Sequence, residues 1–354
     1  MSAAPTDSLA ERLQRFDFRS VHPNARFGTA SDRYAGWIGQ IYPEHYRNEI
    51  RKRKRKLAGK TFEEQSLPIA SVEAFFEHYD VLELDFTFYR PLVEGGKPTN
   101  NFFVLQEYAN NAPDSAIFYL KAPQTTFARS FRRSREGKTF YEPNGAFLNP
   151  DLFVEQFHQP ARQILGQRLG GFIFEQSYAR VAESPTPEEN IDELDVFFNA
   201  IPRDVQHHLE LRSPHLLTPD YFAWLETCGL GFVFSHWTWL PPLRKQWKMC
   251  GGVFTADDNR FAVRLLTPLK MPYAQAYAKT FPFDKPVEEI AGSPGAAYMV
   301  NDTAALIYQA EKAGKMANIF INNRAWGNGP SLAQALGERI RQEEERRAGR
   351  ETNE

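Results

Sequence analysis

Glu83, Lys121, Glu175, Glu210, Arg212, Arg264, Asn322 and Asn323 each stand at or beside the carboxyl end of a short apolar run. These residue types can do chemistry. Two carboxylates whose surroundings split their pKa values can serve as general acid and general base. A lysine among apolar neighbours can titrate low enough to act as a base or a Schiff-base nucleophile. Arginines hold phosphate or carboxylate bidentately. Glu83, Lys121, Glu175 and Glu210 are therefore expected as catalytic residues, with Arg212, Arg264, Asn322 and Asn323 binding substrate. The competing reading is a buried salt-bridge network, because structural ion pairs also carry perturbed charges. Glu83, Glu175, Glu210 and His236 also have the side chains of a site for a hard divalent metal, although no HxH or HExxH motif accompanies them.

The runs that carry these residues read as strands. They are Arg26–Thr29, Val81–Asp85, Ile117–Lys121, Gly171–Glu175, His207–Arg212, Gly231–Ser235, Phe261–Leu265 and Ala317–Asn323. Side chains alternate across a strand. Glu83 and Asp85 therefore share a face, as do Tyr119 with Lys121, His208 with Glu210 and Arg212, and Ala262 with Arg264. Helical patterns lie between the strands, at Ile69–Tyr79, Asn101–Asn111, Leu152–Leu165, Glu188–Ala200, Pro219–Thr227, Asp302–Ala313 and Ser331–Glu344. Strands alternating with helices pair in parallel, because a parallel connection needs a crossover. Eight such units predict a closed TIM-type (β/α)8 barrel with its working site at the carboxyl ends. An open doubly wound sheet is the alternative, but no GxGxxG follows the first strand. No clear helix follows strand six, where a Trp- and Pro-containing stretch stands instead. Residues 1–20 and 345–354 read as tails around a single domain over 21–344, with an insertion at about 47–66.

An ordered set of motifs resembles the uncharacterised "domain of unknown function 72" family, also called YecE-like. Phe27-Gly28-Thr29-Ala30 with Gly36-Trp37 and Ile41-Tyr42-Pro43 resembles its GTSGW…FYP opening. Leu82 to Arg90, LELDFTFYR, resembles its most diagnostic segment, VEINSTFYR. Tyr119–Pro123 resembles F-x-VKAP, Leu169–Gln176 resembles LGPLLFQLP, Leu209–Arg212 resembles VEFRH, and Phe320–Asn323 resembles YFNN. The resemblance covers about Arg26 to Leu336 and implies a TIM barrel; it implies no established reaction. The sequence departs from the pattern at the family's Gln, which is matched by Glu175 or displaced to Gln176, and at Ser213, where the family has His. Arg264-Leu265-Leu266-Thr267 stands for RLHG, and Arg324-Ala325-Trp326-Gly327 for DHGG.

Long loops after strands three, six and seven are expected over the mouth. The first carries Phe127, Arg129, Phe131 and Arg133, and the second Trp237, Trp239, Arg244 and Trp247. Aromatics interleaved with cations suit stacking on rings and pairing with phosphates, so Arg129, Trp237, Trp239 and Tyr89 join the expected ligand-binding residues. The alternative is a lid that packs its aromatics on the barrel. The stretch from Thr267 to Met299 reads as a structured loop and second lid. The basic run Arg51–Lys56 reads as a solvated helix face or loop. Gly327-Asn328-Gly329-Pro330 could present backbone N–H groups to a phosphate, with Ser331 as a plain helix cap as the alternative.

Composition narrows the function classes. The chain has 354 residues and a net charge of −2, so it is not a polyanion binder as a whole. Its two cysteines, Cys228 and Cys250, suit a reducing compartment. No apolar stretch approaches a membrane span and the N-terminus lacks the apolar region of a signal peptide, so a cytoplasmic protein with no membrane partner is expected. The expected function is an enzyme acting on a phosphorylated or other anionic substrate, of phosphoester hydrolase or sugar-phosphate isomerase type. A divalent metal is an open option. A non-catalytic module binding nucleic acid or a sugar-like ligand is the alternative.

Overall fold

The computed structural model describes residues 7–135 and 138–351. Eight parallel strands close into a barrel. They are β1 Ala25–Ala30, β2 Val81–Leu84, β3 Ile117–Lys121, β4 Leu169–Gln176, β5 His207–Leu211, β6 Gly231–His236, β7 Arg260–Leu265 and β8 Met316–Ile321. Each pairs with the next, and β8 pairs with β1. All eight expected strands are present, with ends shifted by at most two residues.

The alternation along the strands sorts the side chains. The outward parity is rich in Phe, and Phe118, Phe172, Phe174, Phe232 and Phe261 are all buried under the helices. Phe174, for example, stacks edge-on with Phe198 of the helix Pro187–Ala200. The inward parity begins with a small apolar cluster of Val81, Tyr119, Ile173, Val233, Ala262 and Phe320. Further toward the carboxyl ends it turns ionic. Space at the wall is tight: a Cβ on Gly28 would stand 1.8 Å from the Val81 carbonyl oxygen, so only glycine lets β1 approach β2.

Several regions differ from the sequence reading. The basic run is neither helix nor loop. Arg51–Leu57 pairs antiparallel with Lys60–Ser66. The turn residues Ala58 and Gly59 both have positive φ, which is what a two-residue hairpin requires. Glu63 and Glu64 face Lys54 and Arg53 across the ladder, and cross-strand opposite charges make a strand of a run that would otherwise repel itself. A helix, Leu243–Met249, does follow β6. The expected loop at Thr267–Met299 contains helices Tyr273–Thr280 and Glu288–Ala291, and Pro294 opens a long helix to Lys312 whose N-terminus is capped by Ser293. A hairpin, Ser130–Arg135 with Lys138–Pro143, occupies part of the loop after β3. The N-terminal segment is not a free tail over its described part. Helix Leu9–Arg15 buries Leu13, and Phe16 and Phe18 follow it into the core. The last helix runs from Gly329 to Glu351, with Arg347 over the Tyr308 ring at 3.6 Å. Among the described residues no helix is long and apolar enough to cross a membrane.

Candidate functional site

The inward charges of β2 to β7 meet in one network. Arg264 donates from Nε to Glu83 at 2.8 Å and from Nη2 at 2.5 Å, and also pairs with Glu210. Arg212 reaches Glu175 at 2.8 Å and Glu210 at 3.2 Å. Lys121 pairs with Glu175, and Ser235 donates its hydroxyl proton to Glu210 at 2.5 Å. Three carboxylates thus face three cations, and Glu83, Glu210 and Arg264 are almost wholly buried. Burial works against ionisation at Glu175, but Arg212, Lys121 and Arg264 outweigh it and hold its pKa down to about 2. Burial also lowers the Lys121 pKa, against the pull of Glu175. Two aromatic rings cover cations of this centre. Phe88 lies under the Lys121 ammonium at 3.9 Å, and Trp237 stacks on Arg212 at 4.8 Å.

The other expected site residues divide. Asn322 and Asn323 are engaged within the protein: Asn322 Oδ1 accepts from the Arg324 N–H, while Asn323 Oδ1 accepts from the Trp37 indole and the Gly329 N–H. Arg129 is engaged by Glu193 and lies over the Phe147 ring. Trp239 is 46% exposed on the surface beside Tyr178. The expected metal set does not form. Arg264, Arg212 and Lys121 neutralise Glu83, Glu175 and Glu210, and His236 is buried with Nδ1 on the Thr267 carbonyl. Among the described residues no three His, Cys, Asp or Glu side chains are grouped to hold a metal ion. The expected phosphate seat at Gly327–Pro330 is filled by side chains instead. Asn328 Oδ1 takes the Ser331 N–H and Asn323 Oδ1 takes that of Gly329, so the cap is Asn328, not Ser331.

A cavity of about 820 Å³ opens beside the network, over the carboxyl ends of β1, β2 and β8. That size suits a small-molecule site. Its wall includes Tyr89, a residue expected to bind ligand, but none of Glu83, Lys121, Glu175, Glu210, Arg212 or Arg264. The wall is built from the turn after β1 (Ser31–Gly36), from Asp85 and Phe86 after β2, and from Arg324 after β8. The basic hairpin contributes Arg55, Glu63 and Glu64, and the segment after β7 contributes Tyr273, Tyr277 and Phe283. Hairpin and segment are clasped together. Arg55 bonds Glu64 at 2.9 Å and the Tyr273 hydroxyl oxygen at 3.0 Å, while the Tyr277 hydroxyl donates to Glu64 at 2.8 Å.

Asp32 is the chemically unusual group in this wall. Ser31, at φ +70°, turns the chain out of β1, and its hydroxyl donates to Asp85 at 2.8 Å. Left-handed backbone at a non-glycine residue is strained and clusters at functional sites. Asp32 follows, 2% exposed. Its Oδ1 accepts the Tyr108 hydroxyl proton at 2.7 Å, and its backbone carbonyl accepts that of Tyr42 at 3.1 Å. Its Oδ2 is buried with no partner among the described residues. Burial raises its pKa to about 6, against the opposing effects of Arg33 and the Tyr108 hydroxyl. A carboxyl titrating near neutrality can both take and give a proton. Sequence reasoning missed Asp32 because Ser31-Asp32-Arg33 looks like an ordinary polar turn; its place directly after β1 was the available signal.

Comparison with known proteins agrees with this architecture. A family profile described as "Protein of unknown function DUF72" matches residues 26–354. A DUF72 family protein from Thermotoga maritima is similar in structure, with a TM-score of 0.51 and 15% identity over 91% of this chain and 99% of that one. Another from Enterococcus faecalis gives a TM-score of 0.51 and 12% identity over 90% of this chain and 95% of that one. At such identities the likeness speaks for the fold alone. No curated protein matches. The chain belongs to the DUF72 family, which has no established function.

Proposed function

We propose that the protein is an enzyme that performs proton transfer on a small anionic substrate, of sugar-phosphate type, in the cavity beside the barrel mouth. One observation carries this reading. Asp32 lines that cavity with a buried carboxyl oxygen that has no hydrogen-bond partner and a pKa raised to about 6, the range in which a general acid–base works best near neutral pH. Of the two reaction types expected from the sequence, isomerisation asks most directly for such a group. Arg33 and Arg324 in the same wall supply positive charge for an anionic substrate.

The test is turnover on a panel of sugar phosphates and phosphoesters with and without divalent metals, comparing the parent with Asp32→Asn and Lys121→Met. Turnover should fall in Asp32→Asn by about 10²- to 10⁴-fold, with a limb near pH 6 in the parent profile. An active parent whose Asp32→Asn variant keeps its rate would sink the reading.

A further inference from the structure

The arginines around the barrel mouth are treated in two ways. Arg264, Arg212, Arg129 and Arg55 each reach a carboxylate. Arg324 lines the cavity, and among the described residues it pairs with none. Its Nε is buried without a hydrogen-bond partner, and its guanidinium lies over the Tyr273 ring, 4.6 Å from the centroid. The backbone fixes it there. Arg324 sits on the turn Asn323–Ala325 directly after β8, and its own N–H donates to Asn322 Oδ1 at 3.1 Å. Burial raises the pKa of the neighbouring Tyr34, and Arg324 is the strongest influence opposing that rise. A partly desolvated guanidinium with no counter-charge is costly unless a partner arrives from outside.

We infer that Arg324 is the seat for the single anionic group of the ligand, a phosphate or a carboxylate on a small hydroxylated body. This rests on the reading of the cavity as the site where Asp32 moves a proton. The rest of the wall sets the rest of the ligand. Asp85 and Asp284 also line the cavity, as do Glu63 and Glu64, which Lys52 and Arg55 engage. Ionised carboxylates only accept hydrogen bonds, so they call for hydroxyl donors and repel a second anionic group. Arg55 is already engaged by Glu64, and Arg33 is held against the Leu67 carbonyl at 3.5 Å and over the Tyr108 ring, beside Asp32. A sugar monophosphate or sugar acid meets both demands; a polyphosphate does not.

Titration calorimetry of the full chain at low salt with inorganic phosphate, glycerol phosphate and gluconate tests the seat. At least one should bind the parent, and which one binds distinguishes phosphate from carboxylate. Arg324→Met should weaken that binding about ten- to hundredfold, the worth of a charged hydrogen bond. Arg324→Lys should lose less. Asp32→Asn should retain binding. If Arg324→Met fails to fold, Arg324→Gln is measured in its place. Undiminished binding in these variants, or no binding of any of the three to the parent, overturns the seat. Loss of turnover in Asp32→Asn together with unchanged anion binding in Arg324→Met would overturn the seat and leave the acid–base reading standing. Anion binding lost in Arg324→Met, with turnover kept in Asp32→Asn, would do the reverse.

Discussion

The barrel mouth holds two polar centres side by side, and they manage charge differently. In the central network every carboxylate meets a cation: Glu83 and Glu210 take Arg264, and Glu175 takes Lys121 and Arg212. In the neighbouring cavity, Asp32 keeps an unpartnered oxygen and Arg324 keeps an unpaired guanidinium. A closed network satisfies its charges within the fold, whereas unpartnered groups in a cavity wall are left for a ligand to satisfy. Perturbed groups in a cleft mark candidates for function, while ion-pair networks perturb pKa values for structural reasons as well. On the proposed reading the larger charge cluster serves as scaffold, and the single carboxyl beside it is the candidate for chemistry.

The largest effect expected from this contrast is on stability at the centre. Arg264→Met strands Glu83 without its cation and leaves Glu210 with Arg212 alone, and should cost about 3–5 kcal/mol, read from urea unfolding. A loss under about 1 kcal/mol would show that the network is not a structural keystone. Asp32 should behave in the opposite way, with turnover falling and the fold kept. Its stability effect has a definite sign with pH. Its folded-state pKa, about 6, exceeds the ordinary 3.8, so the folded state holds the proton more tightly. The parent is then destabilised as pH rises through that window, by up to about 3 kcal/mol. Unfolding curves should show Asp32→Asn gaining on the parent between pH 4 and 7; a constant difference would contradict the raised pKa. A smaller effect is expected at Tyr108, which donates to Asp32. Tyr108→Phe removes a bond that favours the carboxylate, so the limb of the pH–rate profile near 6 should move upward, at a cost of about 1 kcal/mol in stability. An unmoved limb would disconnect Tyr108 from the titrating group. The smallest effect belongs to the outer face of the hairpin. Lys54 is exposed, and Lys54→Gln should change stability by less than about 0.5 kcal/mol and leave anion binding in the cavity intact.

Much of the scaffold was legible in the residues. Strand parity identified Glu83, Lys121, Glu210 and Arg264 as a shared inward set, and the structure joins them. The same reasoning stopped short of their role, because a salt bridge and a catalytic pair use the same side chains at the same spacing. The hairpin was illegible for a different reason. A run such as RKRKRKL has no apolar alternation, and its strand form depends on Glu63 and Glu64 across the ladder and on the Ala58–Gly59 turn. Asn323 looked like a ligand-binding residue, but its Oδ1 is taken by the nearby Gly329 N–H and by the indole of Trp37, which comes from a distant part of the chain.

The sequence by itself determined the eight strands, their parallel closure and the face on which the charges lie, because those follow from side-chain period and from local crossovers. Only the tertiary structure decided which charges are neutralised and which stay open. Pairing depends on distances between side chains from different strands, such as Arg264 with Glu83, whose separation along the chain hides their contact. The pKa of Asp32 depends likewise on burial beneath Tyr42 and Tyr108, which no local pattern around residue 32 announces.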